Sequence, residues 1–234
     1  MPDKKNHAWS YSSINVFAQC PRRWFGEKIE GFKEEEVSEA LIFGNKAHKE
    51  AELYGKEGTP FSDEFRFMEK FVKPLIESDG KKEYELRLAL TSKLEPCGFF
   101  DSDCWWRGIA DFVSLKPEED PTEAVLVDYK TGKSSQYADI KQLELLSLGL
   151  FNTYPSLQVV KGALVFVVLD KDNVVGSTFK RESMEKYWSY WDKLVADLQF
   201  ALVQGEVGFP KKKNALCKSF CPVVSCNLNG KFEG

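Results

Sequence analysis

The sequence predicts one α/β domain built on a mixed central sheet. Three β-rich segments, Glu83–Leu90, Trp105–Leu115 and Ala124–Lys130, follow a helical N-terminal third. A helical segment then separates them from Val159–Leu169, whose nearly continuous apolar run is typical of a buried strand. The 234 residues, 43% hydrophobic and 29% charged, suffice for one folded domain with a sizeable core.

The remaining elements are predicted from helical spacing of apolar residues and from capping residues. Val174–Lys180 is a candidate neighbouring strand, Gly31–Glu39 a charged loop, and the tail from Gly205 is irregular. Ser10 or Ser12 is expected to cap the first helix. Pro74 disfavours the last turn of the third. Helices are expected over Ser10–Lys28, Leu41–Gly55, Ser62–Glu77, Gln136–Asn152 and Arg181–Gln204.

Charge and the N-terminal segment limit where the protein works and what it binds. The net charge of −4 provides no overall positive field, so any contact with nucleic acid needs a local basic surface. The polar segment Met1–Asn6 predicts no signal peptide and no membrane contact, and hence the cytoplasm, or a host cytoplasm if the gene is viral. Cysteines in that compartment stay reduced unless they hold a metal.

Charged residues stand where core residues are expected on two strands. Asp111 and Asp128 each lie within an apolar run, and Lys130 follows two positions later. A charge in an apolar strand is costly unless it is paired or binds a metal. If the two strands form an antiparallel hairpin that folds near Glu118 and Glu119, Asp111 lies opposite Asp128. Lys130 shares a strand face with Asp128, so the three groups converge.

This arrangement suits hydrolysis of a phosphodiester. Carboxylates that face each other repel, and a divalent cation between them removes the repulsion. Oxygen ligands favour Mg²⁺ or Mn²⁺, which activates a bound water and polarises a phosphoryl oxygen. Lys130 would orient the water or stabilise charge in the transition state. The alternative is an ordinary ion pair between Asp128 and Lys130, with Asp111 capping a turn.

Three further polar residues are candidates for the same site. His48, on a predicted helix, is either another metal ligand or an ordinary histidine of the surface or core. Glu85, on the first strand, either approaches the site or lies on a solvated face. Gln142 follows on the helix after Lys130, where it either bonds a nucleotide or an active-site water or faces solvent.

Three cysteines lie close together near the C-terminus. Cys217 and Cys221 are one helical turn apart and Cys226 follows shortly after, a density that indicates metal ligands. A closed site needs a fourth ligand, and the best candidate is Cys20, which would join the first helix to the tail. Zinc and an iron–sulfur cluster both accept four cysteines, and four unrelated buried cysteines remain an alternative.

Two other groups of residues complete the set of candidates. Cys97 and Cys104 flank a predicted hairpin loop and are expected to be ordinary thiols. Five basic residues lie near the proposed cysteine site, namely Arg22, Arg23 and the three lysines at 211–213. We expect these basic residues to form a local patch that binds phosphates, with solvated lysines as the alternative for 211–213.

An ordered series of motifs gives the chain a resemblance to a known family. It resembles the RecB-like branch of the PD-(D/E)XK nucleases, particularly the iron–sulfur type of CRISPR-associated adaptation nucleases, AddB-type helicase–nucleases and phage exonucleases. The resemblance spans nearly the whole chain. It rests on Ser10-Tyr11-Ser12-Ser13-Ile14, Cys20-Pro21-Arg22-Arg23-Trp24, Gly44, His48, Gly108-Ile109-Ala110-Asp111, Val127-Asp128-Tyr129-Lys130-Thr131-Gly132, Gln142, Cys217, Cys221 and Cys226.

The resemblance implies a restriction-endonuclease-like fold, with a mixed central sheet flanked by helices and the N-terminal helix joined to the C-terminal tail at a cysteine metal site. Residues 1–234 would form one nuclease domain, with a core at about 40–204 and an accessory layer from 10–30 and 205–230. It implies Lys130 as the catalytic lysine, with Gln142 beside it. The implied ligands of Mg²⁺ or Mn²⁺ are His48, Asp111, Asp128 and the Tyr129 carbonyl, and those of a 4Fe–4S cluster are Cys20, Cys217, Cys221 and Cys226.

The sequence departs from the family pattern at three points. Ala110 replaces the usual proline before Asp111, as is common in this branch. Leu146 stands where the glutamine motif usually has a tyrosine that contacts DNA. Three residues, rather than two, separate Cys217 from Cys221, which keeps zinc open as the alternative metal.

The function these features predict is a metal-dependent DNA exonuclease acting on single-stranded DNA or DNA ends. The complete set of His48, Asp111, Asp128 and Lys130 favours an enzyme over the alternative, a nucleic-acid-binding subunit with a degraded site and a structural metal. An endonuclease that trims spacers within a larger assembly is a third possibility. A helicase or a recombination or adaptation protein is the expected partner.

Overall fold

The computed structural model describes residues 8–33, 38–136 and 138–232. The chain divides into two compact units. The sheet unit contains residues 38–187, and the terminal unit contains residues 9–37 and 188–234. The predicted polar segment Met1–Asn6 and part of the predicted loop Gly31–Glu39 lie outside the described residues. The single-domain organisation remains a prediction.

The sheet unit is built on five strands in the order β1-β2-β3-β4-β5. The β3 and β4 strands are parallel, and the other neighbouring pairs are antiparallel. The predicted mixed α/β fold is therefore confirmed. The predicted fourth strand is too long at its C-terminal end, because the Leu169 N–H bonds the Phe166 carbonyl at 3.1 Å and closes a turn there. The strands are β1 Lys81–Thr91, β2 Cys104–Lys116, β3 Glu123–Lys130, β4 Val159–Phe166 and β5 Val174–Lys180.

Helix α5, Lys141–Thr153, connects the parallel strands β3 and β4 and covers one face of the sheet. The predicted start at Gln136 is wrong. The Asp139 side chain accepts a hydrogen bond from the Lys141 N–H at 2.9 Å, so it satisfies a free donor of the first turn and begins the helix there. The helix approaches the sheet closely, since a Cβ at Gly149 would lie 2.5 Å from the Trp106 ring.

Helices α3, Glu39–Glu57, and α4, Glu69–Ile76, contribute to a second apolar core. Ser38 caps α3 by accepting a hydrogen bond from the Leu41 N–H. The predicted helix Ser62–Glu77 is shorter in the structure, where a 3₁₀ turn precedes α4, and Pro74 lies inside α4. The buried members of this core are Ala47, Ala51, Phe61, Phe65, Met68, Val72, Phe112, Val127, Tyr129, Val165 and Val167.

The terminal unit begins with two short helices instead of the single predicted one. The break falls at Cys20, whose φ of −159° is extended, because the following Pro21 disfavours helical backbone in the residue before it. Ser10 is the N-cap, as predicted, and accepts a hydrogen bond from Ser13. The elements are α1 Tyr11–Gln19, α2 Pro21–Phe25, a π turn Gly26–Glu30, α6 Met184–Gln204, and 3₁₀ turns Gly205–Gly208 and Ala215–Lys218. Within the described residues, none of the helices has both the length and the apolar character needed to cross a bilayer.

Arg181 links the start of the last helical segment to the end of α5. Its guanidinium donates to the carbonyls of Leu157 at 2.5 Å, Phe151 at 2.6 Å and Tyr154 at 2.7 Å. These carbonyls lie at or just beyond the C-terminus of α5, where intrahelical donors are absent. We expect Arg181→Met to lower the free energy of unfolding by about 2 kcal/mol, since bonds from a charged donor are lost.

Urea denaturation followed by circular dichroism measures this change. The matched control is Arg66→Met, because Arg66 lies on the surface and pairs with the exposed Asp63. Equal stability of the two variants would contradict the role given to Arg181.

Candidate active site and cysteine cluster

The β2–β3 ladder ends at the pair Phe112–Val127. The same register places Asp111 across from Asp128 at the next position, as the hairpin geometry predicts. The strands exchange no backbone pair there. Instead the Tyr129 N–H donates to Asp111 Oδ2 at 2.7 Å. A side chain thus replaces a main-chain acceptor at the point where the two strands separate.

On the other side of β2, Asp111 faces Glu85. The β1–β2 ladder pairs Tyr84 with Phe112 and Leu86 with Ala110 and omits the position between them. Glu85 has a φ of 49°, a left-handed conformation that is uncommon for a residue with a side chain. Strained backbone of this kind concentrates at functional sites because the surrounding structure must hold it in place.

Helix α3 brings His48 to the same point. His48 Nδ1 lies 3.1 Å from Asp111 Oδ2. One turn earlier on the helix, a Cβ at Gly44 would lie 3.2 Å from Thr131 Oγ1, so the glycine permits close approach of α3 to the end of β3. One ligand atom from each of His48, Glu85 and Asp111 lies within 4.8 Å of the others, which makes these residues a candidate metal centre.

Asp128, Lys130 and Gln142 form a second group. Gln142 donates from Nε2 to Asp128 Oδ1 at 2.5 Å and accepts from Lys130 Nζ at 2.8 Å. Asp128 is only 3% exposed. Its Oδ2 has no hydrogen-bond partner among the described residues, although the Lys130 ammonium lies 2.6 Å away. The Lys130 ammonium is thus the ion-pair partner of this buried oxygen, and it opposes the effect of burial on the Asp128 pKa.

Burial and the charge of Asp111 raise the pKa values of two neighbouring carboxylates. Burial is the main cause that raises the pKa of Asp128, and the charge of Asp111 adds to it while Lys130 opposes it. Burial and Asp111 likewise raise the pKa of Glu85. For His48, burial lowers the pKa, but the hydrogen bond to Asp111 and the nearby acidic charges outweigh it and the pKa is raised. The site therefore carries a surplus of negative charge that a cation would relieve.

The residues present fit a hard divalent cation. They offer one imidazole and several carboxylate oxygens, a ligand set that suits Mg²⁺ or Mn²⁺. The structure brings the predicted ligands His48 and Asp111 together and gathers Asp128, Lys130 and Gln142 beside them. Tyr129 contacts Asp111 through its backbone N–H, and the ligand role of its carbonyl stays a prediction.

Glu85 is the member of the candidate centre that the sequence did not predict as a metal ligand. The signal for it is positional, because Glu85 faces Asp111 once the β1–β2 register is known. The sequence does not reveal that register, since twelve residues separate the end of β1 from the start of β2.

The four predicted cysteines line one small pocket of the terminal unit. The tail is held against the first helix by hydrogen bonds from Lys212 Nζ to the Ala18 carbonyl at 3.1 Å and from Asn214 Nδ2 to the Gln19 carbonyl at 3.3 Å. A 3₁₀ turn, Ala215–Lys218, contains Cys217 and ends before Cys221. The pocket contains Cys20, Cys217, Cys221 and Cys226.

The spacing of these thiols bears on which metal they fit. In the part of the chain that the structure describes, no three of the sulfur atoms lie within 4.8 Å of one another. A tetrahedral zinc site with Zn–S bonds of about 2.3 Å brings sulfur atoms to about 3.8 Å. Cys97 and Cys104 belong to the sheet unit, and burial raises the pKa of Cys97 to about 11, which keeps its thiol protonated and unreactive.

Two of the five cations of the proposed phosphate-binding patch are paired with acidic side chains. Arg22 donates two hydrogen bonds to the Glu30 carboxylate at 2.6 and 3.1 Å, and Arg23 bonds Glu27 at 2.5 Å. Acids on the following turn therefore compensate both arginines. Any patch here depends on residues 211–213.

Comparison with protein-family models gives a match to the N-terminal part of the chain. Residues 8–101 match the model of the PD-(D/E)XK nuclease superfamily. The matched segment includes His48 and Glu85 and ends before Asp111. The roles of Asp111, Asp128 and Lys130 therefore rest on geometry.

No curated protein has a significant match to this chain. Among solved structures, the crystal structure of SSO0001 is similar over 98% of this chain and 89% of that one, with 14% sequence identity and a TM-score of 0.49.

The charge surplus leads to a prediction for metal binding. At a hundred times its Kd, Mn²⁺ should stabilise the wild-type protein by about 2.7 kcal/mol, which raises Tm on the order of 5 °C. In Asp111→Asn this shift should disappear, while Tm in EDTA is at least as high as that of the wild type because one like charge is removed.

Differential scanning calorimetry with and without Mn²⁺ provides the measurement. The matched control is Asp63→Asn, which removes an exposed acid outside the candidate centre. A full Mn²⁺ shift in the Asp111→Asn protein would rule out Asp111 as a ligand.

Proposed function

We propose that this protein is a Mg²⁺- or Mn²⁺-dependent deoxyribonuclease, an exonuclease that hydrolyses phosphodiesters in single-stranded DNA or at DNA ends. The observation that carries the proposal is the convergence of His48, Glu85 and Asp111 beside the buried Asp128–Lys130–Gln142 group. The match of residues 8–101 to the model of a nuclease superfamily supports it, as does the order of motifs along the chain.

Each residue has a role that follows from its contacts. His48, Glu85 and Asp111 would hold the cation, and Asp128 would add a carboxylate oxygen. When bound, the cation lowers the pKa of a water and polarises the phosphoryl oxygen. Lys130 places an ammonium beside these carboxylates, where it orients the attacking water and offsets negative charge in the transition state.

Gln142 is a positioning residue. It bonds Asp128 and Lys130 at once, so it holds the carboxylate and the ammonium at a set distance. Because α5 is buried along most of its length, the amide is presented from a rigid element. We expect its loss to misplace both partners without removing a charge.

The nuclease assay follows degradation of a labelled oligonucleotide in Mg²⁺ or Mn²⁺. Asp111→Ala and Lys130→Met should each lower kcat at least about a hundredfold, as expected when a ligand or an electrostatic group is removed, and EDTA should abolish activity. The matched control is Lys161→Met, an exposed lysine of β4 that pairs with Glu123 away from the site.

Full activity of Lys130→Met, in preparations shown to be free of contaminating nuclease, would refute the assignment. Binding of DNA by a wild-type protein that cleaves nothing would instead favour the alternative, a binding subunit with a degraded site. Products released one nucleotide at a time would support an exonuclease, whereas internal cleavage of a circular single strand would show an endonuclease.

The cysteine pocket supports a second part of the proposal. We propose that Cys20, Cys217, Cys221 and Cys226 hold a structural 4Fe–4S cluster, with zinc as the alternative. Their convergence from the two ends of the chain supports a shared ligand, and four thiolates are the ligand set of a 4Fe–4S cluster. With all four positions filled by protein, the cluster would stabilise the terminal unit and take no part in hydrolysis.

The spectrum of anaerobically purified protein tests this part. It should show broad absorbance near about 400 nm, typical of cysteine-ligated iron–sulfur clusters. Cys20→Ala should lose the absorbance and much of the stability, and the matched control Cys97→Ala should keep both. Colourless protein with one zinc per chain would retain the site and overturn the iron assignment.

The biological setting of the proposal follows from the motif resemblance. The RecB-like motifs favour a phage-type or adaptation-type nuclease of the cytoplasm, or of a host cytoplasm. A helicase or a recombination or adaptation protein would supply the unwound strand. Co-purification of such a protein from the native host would support this part.

A further inference from the structure

The tip of the β1–β2 hairpin carries a cluster of aromatic and basic side chains. The Arg87 guanidinium lies 5.5 Å from the Phe99 ring centroid and 5.7 Å from that of Phe100. Arg107 lies 5.3 Å from Phe99 and donates to its carbonyl at 3.4 Å. The two rings contact each other edge to face, with centroids 5.2 Å apart. We call these four residues the hairpin cluster.

The hairpin cluster continues the surface that carries the candidate metal centre. Ile109 lines the same pocket as His48, Glu85 and Asp111. Arg87 pairs with Ile109 across the β1–β2 ladder, so the two side chains share a face. Arg107 precedes Ile109 by two residues on β2 and shares that face as well, because side chains alternate along a strand.

The distance between the two features suits a short stretch of nucleic acid. Asp111 and Arg107 are four residues apart on β2, or about 13 Å at the rise of an extended strand. A stacked DNA strand places phosphates about 3.4 Å apart along its axis, so this distance spans about four nucleotides.

The exposure and charge of the hairpin cluster indicate that it binds a ligand. Phe100 is 76% exposed, although it is a large apolar side chain. Neither Arg87 nor Arg107 forms an ion pair within residues 8–33, 38–136 and 138–232. Packing of the loop and the contacts between the arginines and the rings explain the position of Phe99 and leave Phe100 largely exposed.

We propose that the hairpin cluster is a binding subsite for single-stranded DNA, adjoining the site of cleavage. An exposed phenylalanine stacks on any unpaired base, and arginines attract phosphates and stack on bases. The proposal rests on the proposed nuclease function and adds how the substrate is held. It accounts for local attraction to DNA in a chain whose net charge is −4.

The test measures binding of fluorescein-labelled dT12 by anisotropy in EDTA, where no cleavage occurs. Phe100→Ala and Arg87→Met should each raise Kd about fivefold or more, since loss of one base-stacking ring has at least this effect. Phe100→Trp should retain binding because it keeps an aromatic face. Matched controls are Phe200→Ala, another exposed phenylalanine, and Arg66→Met, another exposed arginine, and both should bind as the wild type.

Binding and catalysis give separate results. If the wild-type protein binds dT12 through the hairpin cluster and cleaves no DNA, the nuclease proposal fails and the subsite stands. If it cleaves DNA and Phe100→Ala, shown by its melting curve to be folded, binds dT12 as tightly as the wild type, the subsite is refuted. Loss of binding that Phe100→Trp does not restore would also refute it, because stacking would then not be the cause. In an active enzyme, Phe100→Ala should raise KM for dT12 by more than it lowers kcat.

Discussion

The site depends on where one carboxylate lies. Asp111 Oδ2 accepts the Tyr129 N–H and lies next to His48 Nδ1, so a single oxygen joins β2, β3 and α3. This contact takes the place of a backbone pair, and the strands separate where Asp111 and Asp128 face each other. Without it, the carboxylates would lie on neighbouring strands with nothing to bring His48 to them.

The fold gathers acidic side chains at this point. Lys130 and, when protonated, His48 oppose the charges of Asp111 and Asp128. Burial, with the charge of Asp111 adding to it, raises the pKa values of Glu85 and Asp128, so the fold holds these carboxylates at a cost. Strained backbone at Glu85 adds to this cost. Such local costs persist where a ligand or a reaction makes use of them.

The sequence predicted the parts of the site that follow from strand periodicity. Asp111 and Asp128 belong to one hairpin, so their facing positions could be counted from the turn, and Lys130 follows by alternation. The sequence did not predict Glu85 as a ligand, because its left-handed backbone and the register of β1 depend on tertiary packing. Gln142 was assigned to the right helix, yet its contact with both Asp128 and Lys130 depends on how α5 crosses the sheet.

The errors at element boundaries have the same origin. Helical spacing of apolar residues predicted helices that run through Cys20 and begin at Gln136. In the structure, the proline after Cys20 breaks the first helix and the capping bond at Asp139 sets the start of α5. Convergence of the cysteines was predicted from their chemistry alone. The pocket that they line required the structure.

The most direct test of the central claim is anomalous diffraction from crystals of this protein soaked in Mn²⁺. The account predicts a manganese peak within bonding distance of His48 and of the Asp111 carboxylate, with Glu85 or Asp128 adding a further oxygen ligand. No peak at this position in crystals that carry Mn²⁺ elsewhere would contradict the claim that Asp111 organises a metal-dependent nuclease centre.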